Sequence, residues 1–300
     1  MSENTLASLK GVRKRFGKIQ ALDGFDLAVN GGELLAVLGP NGAGKSTAIS
    51  ILLGLQSADQ GSAELFGHAP QEIEGRRRIG VMMQEVMLPS VMRPRELLQQ
   101  VASYYPTPYD VDAVIQRLSL ESLALRPYGK LSGGQKRQVQ FALAICGRPE
   151  LLFLDEPTVG LDIHAREALW KVVRELKHEG CSIVLTTHYL EEAEALADRV
   201  AVMARGRLIA DGSVNEIRAY VTRKQVSCVT HLTAEVVRAW PEVVQVEMQR
   251  DRMHITTRAA EALLVRLLRE DPQLSDVEVK RAGLAEAFTE LTNQPAAEAA

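Results

Sequence analysis

The sequence predicts an α/β core on a mostly parallel sheet, with a helical subdomain inserted in it and a small ferredoxin-like α+β domain behind it. Three observations carry this fold class. The apolar run Leu34-Leu35-Ala36-Val37-Leu38 passes through a glycine-rich turn into Ala48-Ile49-Ser50-Ile51-Leu52-Leu53, a buried strand followed by a helix. Two more apolar strands, Leu151–Leu154 and Ser182–Thr186, flank a helical pattern from Ile163 to Glu179 that Gly180 ends. Strands that are apolar throughout, alternating with helices, imply a parallel sheet covered on both faces. After Tyr220 the chain shortens into a β-α-β-β-α-β order plus a closing helix.

The first segment mixes strand-like alternation with turns, and its basic run Arg13-Lys14-Arg15-Phe16-Gly17-Lys18 reads as a solvated loop before a strand. Beyond the first helix, Ser62–Gly67 and Arg78–Met83 read as strands, the second ending at Gln84. From Leu88 to about Cys146 the pattern is helical, with a helix start at Pro94-Arg95-Glu96-Leu97-Leu98 and helical spacing over Val111–Leu118. Arg199–Ala204 and Arg207–Ala210, joined through Arg205-Gly206, form a hairpin. In the last part, Gln225–Thr230, Val244–Met248, Met253–Thr257 and Val277–Lys280 read as strands. Ala234–Trp240, Ala259–Arg269 and Leu284–Leu291 read as helices. The expected division is a first domain at 1–220, with its helical subdomain at about 88–146, and an accessory domain at 221–300.

A chain of 300 residues with formal net charge −3 gives no electrostatic case for nucleic acid or an anionic membrane surface. Cys146, Cys181 and Cys228 lie far apart without a C-x-x-C pair, so they read as reduced core residues. The start shows no basic segment followed by an apolar region, and no apolar run approaches the ~20 residues of a membrane span. The expected location is cytoplasmic, with any membrane role exercised through a partner.

The turn after Leu38 reads Gly39-Pro40-Asn41-Gly42-Ala43-Gly44-Lys45-Ser46-Thr47, a G-x-x-x-x-G-K-S phosphate loop in its required strand–helix context. A triphosphate needs many backbone N–H donors converging on one anion. Glycines leave the space and supply the backbone angles, and the opening of the next helix adds its positive dipole end. Lys45 is expected to reach the β- and γ-phosphates and the Ser46 hydroxyl to ligate Mg2+. Asp155 and Glu156 end a buried strand, at the sheet edge where ligands of parallel sheets collect. Asp155 is expected to hold Mg2+, and Glu156 to take the proton of the attacking water. Leu131-Ser132-Gly133-Gly134-Gln135 is a second glycine-bearing stretch opening a helix. Read alone, it is either a γ-phosphate binder serving another subunit's nucleotide or a plain solvent-exposed cap.

Five stretches together resemble the ATP-binding cassette (ABC) ATPases over about residues 5–220. They are the Gly39–Thr47 loop, Gln84 after its strand, Leu131–Gln135, Leu154-Asp155-Glu156-Pro157, and Thr187-His188 after a strand. The resemblance implies that Gln84 contacts Mg2+ and the attacking water, and that His188 holds the γ-phosphate. It also implies that Gly160-Leu161-Asp162 is the subunit-crossing loop. Phe16 stands where an aromatic ring stacks on adenine; tyrosine is commoner there, and a core role for Phe16 stays open. The resemblance further implies a head-to-tail dimer holding two ATP, each between one subunit's Gly39–Thr47 and the other's Ser132-Gly133-Gly134. ATP closes such a dimer and hydrolysis opens it, moving separate transmembrane permease subunits at the inner face of the cell membrane. With Glu156 present, a working ATPase is expected.

Leu284-Ala285-Glu286-Ala287-Phe288-Thr289-Glu290-Leu291-Thr292 resembles the tail of cassettes serving bacterial exporters of drugs, polysaccharides and haem. Met82 and Met83 read as strand core. Met87 and Met92 are candidates for docking a membrane subunit. The alternative is a soluble ABC ATPase of translation or DNA repair. Such proteins usually join two cassettes or insert a long coiled coil, for which the interval between Lys45 and Ser132 is too short.

Overall fold

In the computed structural model, which describes residues 4–84, 86–219, 224–281 and 284–293, the chain divides into two compact units meeting at Val214 and Asn215. The first unit opens with three strands, β1 (Thr5–Phe16), β2 (Ile19–Asn30) and β3 (Leu34–Leu38). Helix α1 (Lys45–Leu52), β4 (Gln60–Leu65), α2 (Ile73–Arg76) and β5 (Ile79–Met82) follow. Three helices fill the insertion: α3 (Pro94–Ala102), α4 (Val111–Arg117) and α5 (Gly133–Ile145). Then come β6 (Leu151–Asp155), α6 (Ile163–His178), β7 (Ser182–Thr187), α7 (Leu190–Leu196), β8 (Arg199–Ala204) and β9 (Arg207–Ser213), and α8 (Val214–Ala219) runs from the division into the second unit.

Six strands form one sheet in the order β5-β6-β7-β3-β8-β9, parallel except for the last pair. Its middle explains the unbroken apolar runs. Along β6, Leu151 and Phe153 pack into one hydrophobic cluster and Leu152 and Leu154 into the other. Likewise, Val184 of β7 faces one cluster while Ile183 and Leu185 face the opposite one. One cluster takes in α1 and the antiparallel sheet β2-β1-β4; the other takes in α3, α5 and α6. Truncating a side chain such as Phe153 or Leu154 to Ala would cost about 2–5 kcal/mol.

The basic run read as a loop is mostly strand: Arg13–Phe16 belong to β1, paired antiparallel with β2. Its charges are matched by carboxylates, Arg13 with Asp23 at 3.5 Å and Lys14 with Asp59 at 2.9 Å. Helix α5 rests directly on β5. A side chain at Gly80 would come within 2.0 Å of the Ala144 carbonyl, so only glycine allows that approach.

The second unit comprises β10 (Lys224–Val229), α9 (Ala234–Arg238), β11 (Val243–Gln249), β12 (Arg252–Thr257), α10 (Ala260–Glu270), β13 (Ser275–Arg281) and α11 (Leu284–Asn293). Its sheet order is β11-β12-β10-β13, antiparallel at every pairing. Val226, Cys228, Ile255, Leu263 and Leu267 form its core, and the Arg266 guanidinium lies 4.6 Å from the Trp240 ring centroid. Asp271 closes the turn after β10 by accepting from Thr230 Oγ1 at 2.6 Å and from the His231 amide at 2.7 Å.

All three cysteines are buried free thiols. Burial pushes Cys146 up to about 11 and Cys181 up to about 12, and raises Cys228 in the same way. A folded thiol titrating above its unfolded value of 9.0 stabilises the fold fully below pH 9, a contribution lost as pH rises towards 12. We therefore expect none of the three to react with a thiol reagent at pH 8 in the native chain, and all three to react in guanidinium. A rapidly reacting native thiol would contradict this packing.

Candidate active site

The turn after β3 is shaped by what glycine alone permits. A side chain on Gly39 would lie 2.7 Å from the Met203 carbonyl, and one on Gly44 would lie 2.5 Å from that of Ala21. Gly44 caps α1 at φ +105, a left-handed conformation that L side chains rarely adopt. The amide of Ala43 donates to Pro40 O at 3.1 Å and that of Gly206 to Ala43 O at 3.0 Å, fixing the loop from both sides. Lys45 opens α1 with its ammonium turned back, donating to Gly39 O at 2.6 Å and Pro40 O at 3.3 Å. Burial draws its pKa below the usual lysine range, against the opposing pull of Glu156 and Asp155.

At the end of β6 the two carboxylates have different surroundings. Thr186 Oγ1 donates to Asp155 Oδ1 and accepts from the Glu156 amide at 3.2 Å, while Thr186 O takes the same amide at 3.0 Å. Glu156 stands at φ +51, a conformation costing a non-glycine residue ~1–3 kcal/mol, and this bonding holds it there. His188 Nδ1 donates to Glu156 Oε2 at 2.6 Å; the imidazole is half exposed while the carboxylate is buried.

These residues surround an open cleft of about 500 Å³. Its lining joins Asn41–Thr47 to Gln84, Glu156 and His188, so most of the predicted site converges. Ile19 and Ala21 of β2 and Val159 also line it, none of them singled out by sequence. Phe16 does not. It is 44% exposed at the end of β1, its ring 5.5 Å from Lys14 Nζ, so it is not a core residue. Across the hairpin turn it pairs with Ile19, which borders the cleft.

Ser132, Gly133, Gly134 and Gln135 lie off this cleft. Ser132 caps α5, its hydroxyl accepting from the Gln135 amide at 3.3 Å while Gln135 Oε1 accepts from the Ser132 amide at 3.0 Å. Gly134 faces the Gly160–Leu161 turn: a side chain on it would sit 3.6 Å from Gly160 O. Asp162 caps α6 by accepting from the Ala165 amide at 2.9 Å.

Sequence reading missed two buried charges behind the cleft. Arg137 of α5 donates through one nitrogen to Met83 O and Gln84 O at 2.9 Å and to Gln140 Oε1 at 3.1 Å. Through the other it donates to Asp155 O at 3.1 Å and to Glu156 O. Glu192 of α7 accepts from Trp170 Nε1 at 3.0 Å and Thr158 Oγ1 at 3.3 Å, and burial raises its carboxyl pKa against those bonds. Arg137 shares a helical face with Phe141 and Ala144, both core residues. An arginine at a core position is the available signal, because burying it requires partners.

Fold and cleft define the class: an α/β protein whose glycine loop, lysine, acidic strand end and histidine meet at the carboxyl edge of a parallel sheet. Comparison with known proteins gives the family. A sequence model described as ABC transporter matches residues 22–159. The chain is similar to the daunorubicin resistance ATP-binding protein DrrA3 of Streptomyces coeruleorubidus, 34% identical over 304 residues that cover 96% of each chain. It is 35% identical over 308 residues to the Nod factor export ATP-binding protein I of Rhizobium sp. (strain N33), covering 92% of this chain and 96% of that one. Among solved structures, an ATP-binding subunit of an ABC transporter aligns with TM-score 0.67 and 28% identity over 72% of this chain and 92% of its own. A dimeric cassette in a post-hydrolysis state, bound to ADP and Pi, shares the fold at TM-score 0.63 and 24% identity, over 69% of this chain and 98% of its own. The chain belongs to the ABC transporter family, as one of its ATP-binding subunits.

The glycine argument predicts a contrast. Gly44→Ala should lower stability by about 1–3 kcal/mol, because of its φ and the Ala21 carbonyl. Gly133→Ala, with open space around it, should stay within about 0.5 kcal/mol of the parent. Urea midpoints of the two variants test this, and equal destabilisation would refute the reading of the loop.

Proposed function

We propose that this chain is the ATP-hydrolysing subunit of an exporter-type ABC transporter, closing as a dimer around two ATP to drive separate membrane subunits. The observation that carries the reading is the Glu156–His188 pair at 2.6 Å in the same cleft as Lys45. The amides of Gly39–Thr47 and the Lys45 ammonium would hold the phosphates, once that ammonium leaves the loop's own carbonyls. Glu156 would accept a proton from the water attacking the γ-phosphorus, the bond to the β-phosphate oxygen would break, and ADP and phosphate would leave. His188 would orient that carboxylate and meet the γ-phosphate. Ile19 and Ala21 give the cleft an apolar wall suiting a flat base, and the exposed Phe16 ring beside Ile19 would stack on that base.

Ser46 hydroxyl, Gln84 amide oxygen and Asp155 carboxylate are hard oxygen donors, the chemistry Mg2+ selects, and Ser46 and Gln84 line the cleft. When bound, Mg2+ neutralises phosphate charge. Thr186 keeps one Asp155 oxygen turned in a fixed direction.

The cross-subunit role of Ser132-Gly133-Gly134 is supported by their distance from their own chain's cleft. The reading as an exporter rests on near-full-length likeness to proteins named for drug resistance and Nod factor export. That likeness disfavours a soluble role in translation or DNA repair. Among the described residues no helix is long and apolar enough to cross a membrane, so the membrane path would belong to partner subunits. Their docking place would be the apolar groove of about 430 Å³ lined by Leu53, Leu55, Val86, Leu88 and Tyr105. Met87, wholly exposed, flanks Val86 and Leu88 in sequence, whereas Met92 packs partly against the helical core and is the poorer docking residue. The second unit would be a ferredoxin-like accessory domain, a reading supported by its strand order, and would stabilise or regulate the dimer without touching nucleotide.

Three outcomes are expected. Glu156→Gln should bind ATP and close the dimer while hydrolysis falls roughly 10²–10⁴-fold. In mixed dimers, a Lys45→Ala chain paired with a Ser132→Arg chain leaves one composite site whole. Placing both changes on one chain, opposite an unaltered partner, damages both sites. ATPase activity should be higher in the first pairing, in a system where one intact site turns over; equal activities would rule out shared sites. Met87→Glu and Leu55→Glu should keep ATPase activity in solution within about twofold and lose co-sedimentation with membranes holding the permease subunits. Undiminished membrane association would exclude this groove.

A further inference from the structure

The buried guanidinium of Arg137 takes no part in the chemistry proposed above, yet it bonds the two strand exits that carry Gln84 and Glu156. It is 7% exposed, and its acceptors are the carbonyls of Met83, Gln84, Asp155 and Glu156 together with the Gln140 amide oxygen. Three elements therefore end on one planar group: the exit of β5 at Gln84, the exit of β6 at Glu156, and α5 itself. Helix α5 begins with Gly133-Gly134, and Arg137 stands one turn further along it. A guanidinium spans two directions at once, with separate N–H groups fixed in one plane; an ammonium does not.

Glu156 is the residue with most to lose from a loose backbone. Its φ of +51 lies outside the ordinary range for a glutamate, and Arg137 bonds the carbonyl on the far side of that residue from the Thr186 contacts. Released from Arg137, the 156 peptide keeps only the Thr186 bonds on its amide side to oppose relaxation to negative φ, which would turn the carboxylate away from His188. The same release unpins Gln84 through its own carbonyl.

We infer that Arg137 is a positioning residue: it couples the seating of α5, whose first turn would meet the partner's nucleotide, to the placement of Gln84 and Glu156. When α5 shifts as a rigid rod its arginine moves with it, and both strand exits follow. A nucleotide held at one subunit's Ser132-Gly133-Gly134 would thereby set the hydrolytic groups of the other site. This rests on the reading of Glu156 and Gln84 as hydrolytic residues.

The test compares full-length Arg137→Lys, Arg137→Met and Glu156→Gln, measuring kcat and KM for Mg-ATP. Both Arg137 variants should lose at least about tenfold in kcat while KM changes by less than about twofold, because positioning is lost and the phosphate loop is untouched. Adding Arg137→Met to Glu156→Gln should lower the residual rate no further, since the group being positioned is already disabled; a purely structural role would lower it again by the same factor. An Arg137→Lys chain hydrolysing within twofold of the parent, with Glu156→Gln inactive, overturns the inference. So does a loss that is additive with Glu156→Gln or falls on KM. Should Arg137→Met fail to fold, Arg137→Lys decides alone. Glu156→Gln at the parent rate would instead overturn the reading of Glu156 itself.

Discussion

Strands β3, β6 and β7 are dry on both faces, and the rest of the first unit follows from that constraint. A strand with apolar clusters above and below it has nowhere along its length for a charge. Chemistry is pushed to the strand exits, where the backbone leaves the sheet and side chains reach water again. Leu38 leads into the glycine loop, Leu154 into Asp155 and Glu156, and Thr187 into His188, three exits from neighbouring parallel strands. Their proximity is a consequence of register: Asp155 pairs with Thr186 and Leu38 with Thr187.

Within that arrangement the charges are graded by depth. Lys45 and Asp155 are buried and already hydrogen-bonded within the chain, whereas His188 is half exposed. Glu156 links the levels, with its backbone tied to β7 and its carboxylate tied to the histidine. A ligand entering the cleft meets the Glu156–His188 pair on one side and a lysine held by the loop's own carbonyls on the other. Preorganisation of that kind lowers the reorganisation needed at the moment of reaction.

What was legible in the sequence was whatever a local rule compels. Gly39, Gly44 and Lys45 are legible because a phosphate loop tolerates little else, and β6 because a four-residue apolar run ending in two acids has few other uses. The parallel sheet was readable from strands without alternation. Ile19 went unnoticed because the register of the β1–β2 hairpin, which puts it at the cleft beside Phe16, depends on pairing between strands and leaves no local mark. Arg137 and Glu192 escaped because their meaning lies in partners 18 or more positions away, such as Asp155 and Trp170. The split of the methionines had the same cause: exposure separates Met87 from Met92, and only packing decides it.

The short edge strand β5 has a consequence for assembly. An unpaired strand margin is a template on which another chain can add. Here the Tyr105 hydroxyl donates to Ile79 O at 3.1 Å, occupying part of the β5 margin. The opposite margin, β9, carries Arg207 bound to Asp23 and Asp211 bound to Arg199. Continuing the sheet from one copy into the next is thus disfavoured at both ends. Two copies are left to meet through loops and helix ends, surfaces that can separate again without tearing a ladder of backbone hydrogen bonds.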